Sequence, residues 1–188
     1  MDTAEKNENA RVVVLTGVDN TFSSGVDLTD PDTLKMIEQD SDISTGISTM
    51  FKLINLKKPT IAAVNGYALG RGVEYALMCD MIIASERAVF GFIGPSRGMV
   101  CPYAIIRLAD EIGRAKAKEL ILTCDRISAQ EALRIGLINK LVPHAKLMEA
   151  VIEMAEKIKK TSPLVTRLTK SIINQGLEGY EESLAAVK

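Results

Sequence analysis

Two β-branched runs, each closed by a turn signal, constrain this chain more than any other feature. Arg11-Val12-Val13-Val14-Leu15-Thr16-Gly17 ends on glycine, and Thr60-Ile61-Ala62-Ala63-Val64 ends on the turn pair Asn65-Gly66. Neither run alternates apolar with polar residues, so both read as strands buried on two faces, the pattern of a parallel sheet covered by helices. Met81-Ile82-Ile83-Ala84 and Ala88-Val89-Phe90 repeat the signal. Between the runs the period changes. Ile43, Ile47, Met50, Phe51 and Ile54 recur at three- and four-residue spacing before Pro59, and a short helix is expected over 71–79. Strands alternating with helices imply an α/β fold with right-handed crossovers. Asp19-Asn20 and Ser23-Ser24-Gly25 read as a turn-rich loop, and Gly91 to Pro102 as another. Beyond Pro102 the chain reads as helical nearly to its end. Ser128 to Glu131 form a capping box with Gly136 at C′, and further helices are expected over 146–160, 163–175 and from Glu178 onward.

Composition removes several classes of function. Lys plus Arg is 23 against 24 for Asp plus Glu, which leaves no basic field for nucleic acid or anionic lipid. Aromatic residues are 4% with no Trp, so base-stacking platforms are not expected. No apolar run approaches the ~20 residues that cross a bilayer, and the polar start Met1-Asp2-Thr3-Ala4-Glu5-Lys6 lacks a signal peptide's apolar stretch. Cys79, Cys101 and Cys124 are an odd number without CxxC spacing, and His144 is the single histidine. The expectation is a cytoplasmic protein with no metal site.

Two glycine loops follow strands, where an open α/β sheet gathers its ligands. The first is Phe22-Ser23-Ser24-Gly25-Val26-Asp27-Leu28 and the second runs from Asn65 through Gly70-Arg71-Gly72 to Glu74. Both offer backbone N–H groups under little side-chain cover, and the second opens a helix, which suits a phosphate or a developing oxyanion. Gly70-Arg71-Gly72 equally fits a tight strand-to-helix connection. Nucleotide fingerprints are absent. Glu74, one turn into the helix, equally fits a carboxylate placed there by the helix dipole.

Four stretches in order resemble the crotonase (enoyl-CoA hydratase/isomerase) superfamily over most of the chain. They are Val12 to Leu28, Lys58 to Gly70, Cys79-Asp80 to Gly91, and Gly113 to Pro143. The resemblance implies a crotonase-like (ββα)n spiral with parallel sheets, a core over 1–143 and a helical region over 144–188. It implies an acyl-CoA thioester as substrate, with no separate cofactor. Its carbonyl would be gripped by the N–H groups of Val26 and Arg71, with Ser24, Gly25, Asp27, Leu28 and Gly70 around it. Arg71 stands where the family usually has glycine. Glu74 matches the first of two glutamates that hydratases use. The resemblance further implies a homotrimer or dimer of trimers, a strand and helix preceding the Arg11 region, and helices beyond Lys188, so that both ends are expected to be incomplete. Apolar stripes at Val151, Met154, Ala155 and Ile158, and at Leu164, Leu168 and Ile172, would need burial.

The chain departs from the pattern after Phe90-Gly91. A Gln-Pro-Glu-like run would carry the second glutamate there, yet no carboxylate occurs between Glu86 and Asp110. Ser96, Arg97, Cys101 or Tyr103 are the polar groups available in its place. Hydration uses two proton-transfer groups, whereas one base can shuttle a proton between two carbons of an enolate. Isomerase chemistry is therefore favoured over hydration. The alternative is a non-catalytic crotonase-fold binding or scaffold protein. A Ser24–His144 hydrolase lacks the G-x-S-x-G elbow. The cysteines read as small buried hydrophobes and Asp80 as a structural turn residue. Residues Glu111 to Glu119 read as a solvated helix face. Lys57-Lys58 reads as a surface pair, with contact to CoA phosphates as the other reading.

Overall fold

The computed structural model describes residues 1–31, 35 and 50–176. Expected helical positions Ile43 and Ile47, and the helix from Glu178, lie outside the described residues. Elements follow in the order α1 (Asp2–Lys6), β1 (Val13–Thr16), β2 (Thr21–Ser23), β3 (Thr60–Val64), β4 (Tyr67–Leu69), α2 (Arg71–Leu77), β5 (Met81–Ser85), β6 (Val89–Gly91), α3 (Pro102–Ile112), α4 (Arg114–Thr123), β7 (Arg126–Ser128), α5 (Ala129–Arg134), β8 (Lys140–Val142), α6 (Leu147–Lys159) and α7 (Pro163–Gln175).

From β1 to β6, consecutive strands alternate between two sheets. One sheet has the order β1-β3-β5-β8 and the other β2-β4-β6-β7, all neighbours parallel except β6 with β7. Each strand pair therefore turns a corner from one sheet to the next, and the corners admit little bulk. A Cβ on Gly66 would collide with the Asn20 carbonyl, so only glycine lets the β3–β4 corner pass the β1–β2 corner. Asn65 ties the same two corners. Its Nδ2 donates to Asp19 O at 2.9 Å, and its Oδ1 accepts from Gly17 N at 3.3 Å. Parallel sheets and helices are thus combined as the α/β reading expects.

β3 is buried throughout, as its sequence predicts. Ala62 and Val64 face the cluster containing Phe22, Phe90 and Leu108, while Ile61 and Ala63 face Leu147, Ala150 and Val151 of α6. β1 corrects the sequence reading. Among the described residues it is an edge strand paired only with β3, and it alternates half-buried with exposed residues rather than burying both faces. Two further corrections concern length. Thr21–Ser23 is a strand where a loop is expected, and β7 and β8 interrupt the expected helical C-terminal third. Three-residue strands are shorter than the window in which alternation can be recognised, and Ile127 is the sole buried residue of β7.

The stripe on α6 needs no partner chain. Val151 is fully buried, and Met154, Ala155 and Ile158 pack against the β3–β5 core. Ser128 caps α5 by accepting from Glu131 N, but Glu131 turns its carboxylate to Arg134 and Lys116 instead of closing the box. Gly136 has the positive φ of 84° expected after a helix. Asp80 is structural, as its position suggests. Its Oδ2 accepts from Thr60 N and Oγ1 at 2.7 and 2.9 Å and pairs with Lys170 at 2.9 Å, pinning α7 to the start of β3. Lys58 donates to the carbonyls of Ala4 and Asn7, at the C-terminal end of α1 where a cation is favoured.

Candidate functional site

β2 and β4 are parallel neighbours, so the two glycine loops leave the same edge of one sheet side by side. All eight residues that the sequence singles out meet there. Ser24, Gly25, Val26, Asp27, Leu28, Gly70, Arg71 and Glu74 line a single cavity of about 450 Å³. Its far wall comes from the third loop, through Ile93, Gly94, Arg97, Met99, Val100 and Cys101.

Gly25 sets the spacing of the first two loops. Its φ is +94°, and a Cβ there would lie 2.9 Å from Leu69 O and 3.1 Å from Arg71 N. Glycine is needed both for the left-handed backbone and to keep the space beside Arg71 N open. Gly25 N donates to Ser23 Oγ at 3.3 Å, which fixes the turn. Among the described residues neither Val26 N–H nor Arg71 N–H has a hydrogen-bond acceptor. Two backbone donors are thus left unmade on the cavity wall, a costly state unless a ligand or solvent meets them.

Glu74 is 2% exposed. Its Oε1 accepts from Ala104 N at 3.1 Å, and Tyr103 N–H also favours its charged form. Both amides belong to the first turn of α3, whose own N-cap residue, Cys101, makes no side-chain cap bond. A carboxylate from α2 thereby supplies the cap that α3 lacks. Burial pushes the Glu74 carboxyl above its ordinary 4.5, while the Ala104 amide, the Arg71 guanidinium and the Tyr103 amide pull it back in part. The folded state then holds the Glu74 proton to higher pH than the unfolded state does. This group's contribution to stability is complete below 4.5 and is lost as pH rises through the elevated pKa. Denaturant unfolding between about pH 4.5 and 7 is expected to show that falling slope in the wild type and a flatter one in Glu74→Gln. Parallel profiles would remove Glu74 as the cause.

Asp27, the other carboxylate on the cavity, is exposed. Thr29 Oγ1 and N donate to it at 2.7 and 2.9 Å, which hold its carboxyl below the usual range. Of the polar residues offered in place of a second glutamate, Arg97 and Cys101 reach the cavity, whereas Ser96 and Tyr103 do not line it. Ser96 Oγ instead donates to Ile93 O at 2.8 Å. Burial pushes the Cys101 thiol up to about 11 and the Cys79 thiol to about 12, so both behave as inert small hydrophobes. Cys124 differs, being half-buried with φ 57° at the end of α4. His144 does not line the cavity with Ser24: its Nδ1 is 3.1 Å from Oγ of Ser85, a fully buried serine at the end of β5. The contact of Glu74 with α3 is not anticipated in the sequence. Pro102, at a helix's first position, is the one signal that a helix N-terminus begins there.

The family model for enoyl-CoA hydratase/isomerase matches residues 1–187. A mitochondrial enoyl-CoA hydratase of Pongo abelii is 39% identical over 178 residues, covering 93% of this chain and 60% of that protein. The chain thus spans about three-fifths of that relative's length. The crystal structure of an enoyl-CoA hydratase from Bacillus anthracis superposes with a TM-score of 0.90 at 36% identity, over 99% of this chain and 76% of the other. A monofunctional enoyl-CoA isomerase from M. smegmatis superposes with a TM-score of 0.76 at 35% identity, over 94% and 76%. With its paired sheets, its two adjoining glycine loops and these matches, the chain belongs to the enoyl-CoA hydratase/isomerase family.

Proposed function

We propose that the chain processes acyl-CoA thioesters, with the N–H groups of Val26 and Arg71 as an oxyanion hole and Glu74 as acid/base, and that it moves double bonds faster than it hydrates them. Removing a proton from Cα of a thioester drives negative charge onto the carbonyl oxygen. Preset amide donors stabilise that enolate, and one such donor is worth ~10²–10³ in rate. The observation that carries the reading is the convergence on one cavity of two unbonded amides and a buried, elevated carboxyl. A carboxyl whose pKa is held above 4.5 is, once ionised, a stronger base toward the Cα proton than an exposed carboxylate, and its acid form can then protonate Cγ.

Hydration adds a second task, the deprotonation of a water aimed at Cβ. Asp27 is a weak base for it, exposed and already bonded twice to Thr29. A monofunctional enoyl-CoA isomerase stands among the structural neighbours, beside enoyl-CoA hydratases. Comparing double-bond migration with hydration in one preparation tests the reading; absence of both reactions favours the scaffold alternative.

The same reading includes assembly as a homotrimer or a dimer of trimers. The support lies on α7, which has no fully buried residue and leaves Leu164, Val165 and Ile173 at 44%, 59% and 68% exposure. An apolar stripe of that kind needs cover. Sedimentation velocity at micromolar concentration is expected to show a trimer or its multiple. A clean monomer contradicts it.

A further inference from the structure

Two arginines border the cavity, and the proposed chemistry uses neither side chain. Arg71 is half-buried and Arg97 is exposed at the end of a single 3₁₀ turn, Pro95–Arg97. Among the described residues neither guanidinium has a hydrogen bond or an ion pair. The carboxylates nearby are committed elsewhere, Glu74 to the α3 amides and Asp27 to Thr29. Arg71 nevertheless acts on the site's interior, since both Glu74 and Cys101 feel its charge. An unpaired guanidinium on a cavity wall presents a planar fork of donors that a bidentate anion can fill. The backbone donor of Arg71 would serve equally well in a glycine, so its side chain has a separate consequence.

We propose that Arg71 and Arg97 form a clamp for an anionic group of the thioester substrate, making the site selective for doubly functional, charged acyl thioesters. The clamp rests on the reading of this cavity as a thioester site. Because Arg71 carries an N–H donor and a guanidinium on one residue, an anion bound there lies within one side-chain length of the thioester carbonyl. A terminal carboxylate on a short acyl chain fits that spacing. A CoA phosphate offers the same chemistry, and the experiment separates the two sources. Arginine suits either role through its planar fork, which lysine lacks.

Binding is measured by calorimetric titration with saturated, unreactive thioesters, so that turnover is not needed. Hexanoyl and adipoyl thioesters are compared, each on CoA and on pantetheine, which has no phosphate. Wild type is expected to bind adipoyl ~10- to 100-fold more tightly than hexanoyl on both carriers. Arg71→Gly and Arg97→Gln are expected to lose most of that ratio, with Arg71→Lys between them and wild type. If the arginines instead govern only the advantage of CoA over pantetheine, the anion is a phosphate and the proposed selectivity for charged acyl groups is overturned. Ratios untouched by the substitutions in folded variants, on both contrasts, overturn it. Charge selectivity in a chain that catalyses neither double-bond migration nor hydration would sink the proposed activity while leaving the clamp intact.

Discussion

Replacing Glu74 with glutamine is expected to lower turnover by ~10²–10⁴ while thioester binding persists. Glutamine keeps the shape of the side chain and an acceptor for Ala104 N, so the cap on α3 survives. What disappears is the proton-carrying group on the cavity. Two readouts separate this from structural damage. A short enoyl-CoA must still raise the melting temperature of the variant, because a ligand that binds only the folded state stabilises it by mass action. The pH-rate profile must also lose its acid limb, which in the wild type lies above the ordinary carboxylate range because burial dominates the Glu74 environment. Unchanged turnover in Glu74→Gln would remove this residue from the mechanism.

Gly25→Ala is expected to cost on the order of 10²–10³ in turnover, equal to the loss of one oxyanion donor. The new methyl would sit 3.1 Å from Arg71 N, in the space a carbonyl oxygen must enter. Strain at φ +94° adds a stability loss of about 1–2 kcal/mol. The two effects are separable with Gly113→Ala. Gly113 also has a positive φ, +82°, but a Cβ there meets nothing within 4 Å. That control should lose stability through backbone strain alone, without the clash against Leu69 O, and keep its turnover. Equal activity losses in both variants would assign the effect to stability alone.

How far the sequence reveals this architecture depends on where information about packing lies. β3 is legible because every one of its residues is buried, on two faces, and a run of Ile, Ala and Val has no other soluble use. The edge position of β1 is not legible, since Val13 and Val14 carry the same composition as a central strand and only the neighbouring chain decides exposure. The short strands β2, β4, β7 and β8 are held by register with longer neighbours rather than by local propensity. Consecutive strands that switch sheets leave one local trace, glycine and asparagine at the corners.

The site divides along the same line. Val26 lies in a loop and Arg71 and Glu74 in the first turn of α2, each beside glycines that mark the place, and the pairing of β2 with β4 brings them together. The third wall, from Ile93 to Cys101, also reads as a loop through Gly94 and Gly98, but its approach to Glu74 depends on the tertiary placement of α3. The stripe on α6 shows the converse. Its periodicity is plain in the sequence, but whether it faces the chain's own core or another subunit is decided by packing on β3 and β5.

The central claim is that two amides and one buried carboxyl constitute the chemistry of this cavity. The most direct measurement compares, in one wild-type preparation, migration of the double bond of a 3-enoyl-CoA with hydration of crotonyl-CoA, both followed by absorbance. The account predicts kcat/KM for migration at least ~10²-fold above that for hydration, the lower end of what one acid or base contributes. Hydration equal to or faster than migration would contradict it and would require a second proton-transfer group on the Phe92–Tyr103 loop.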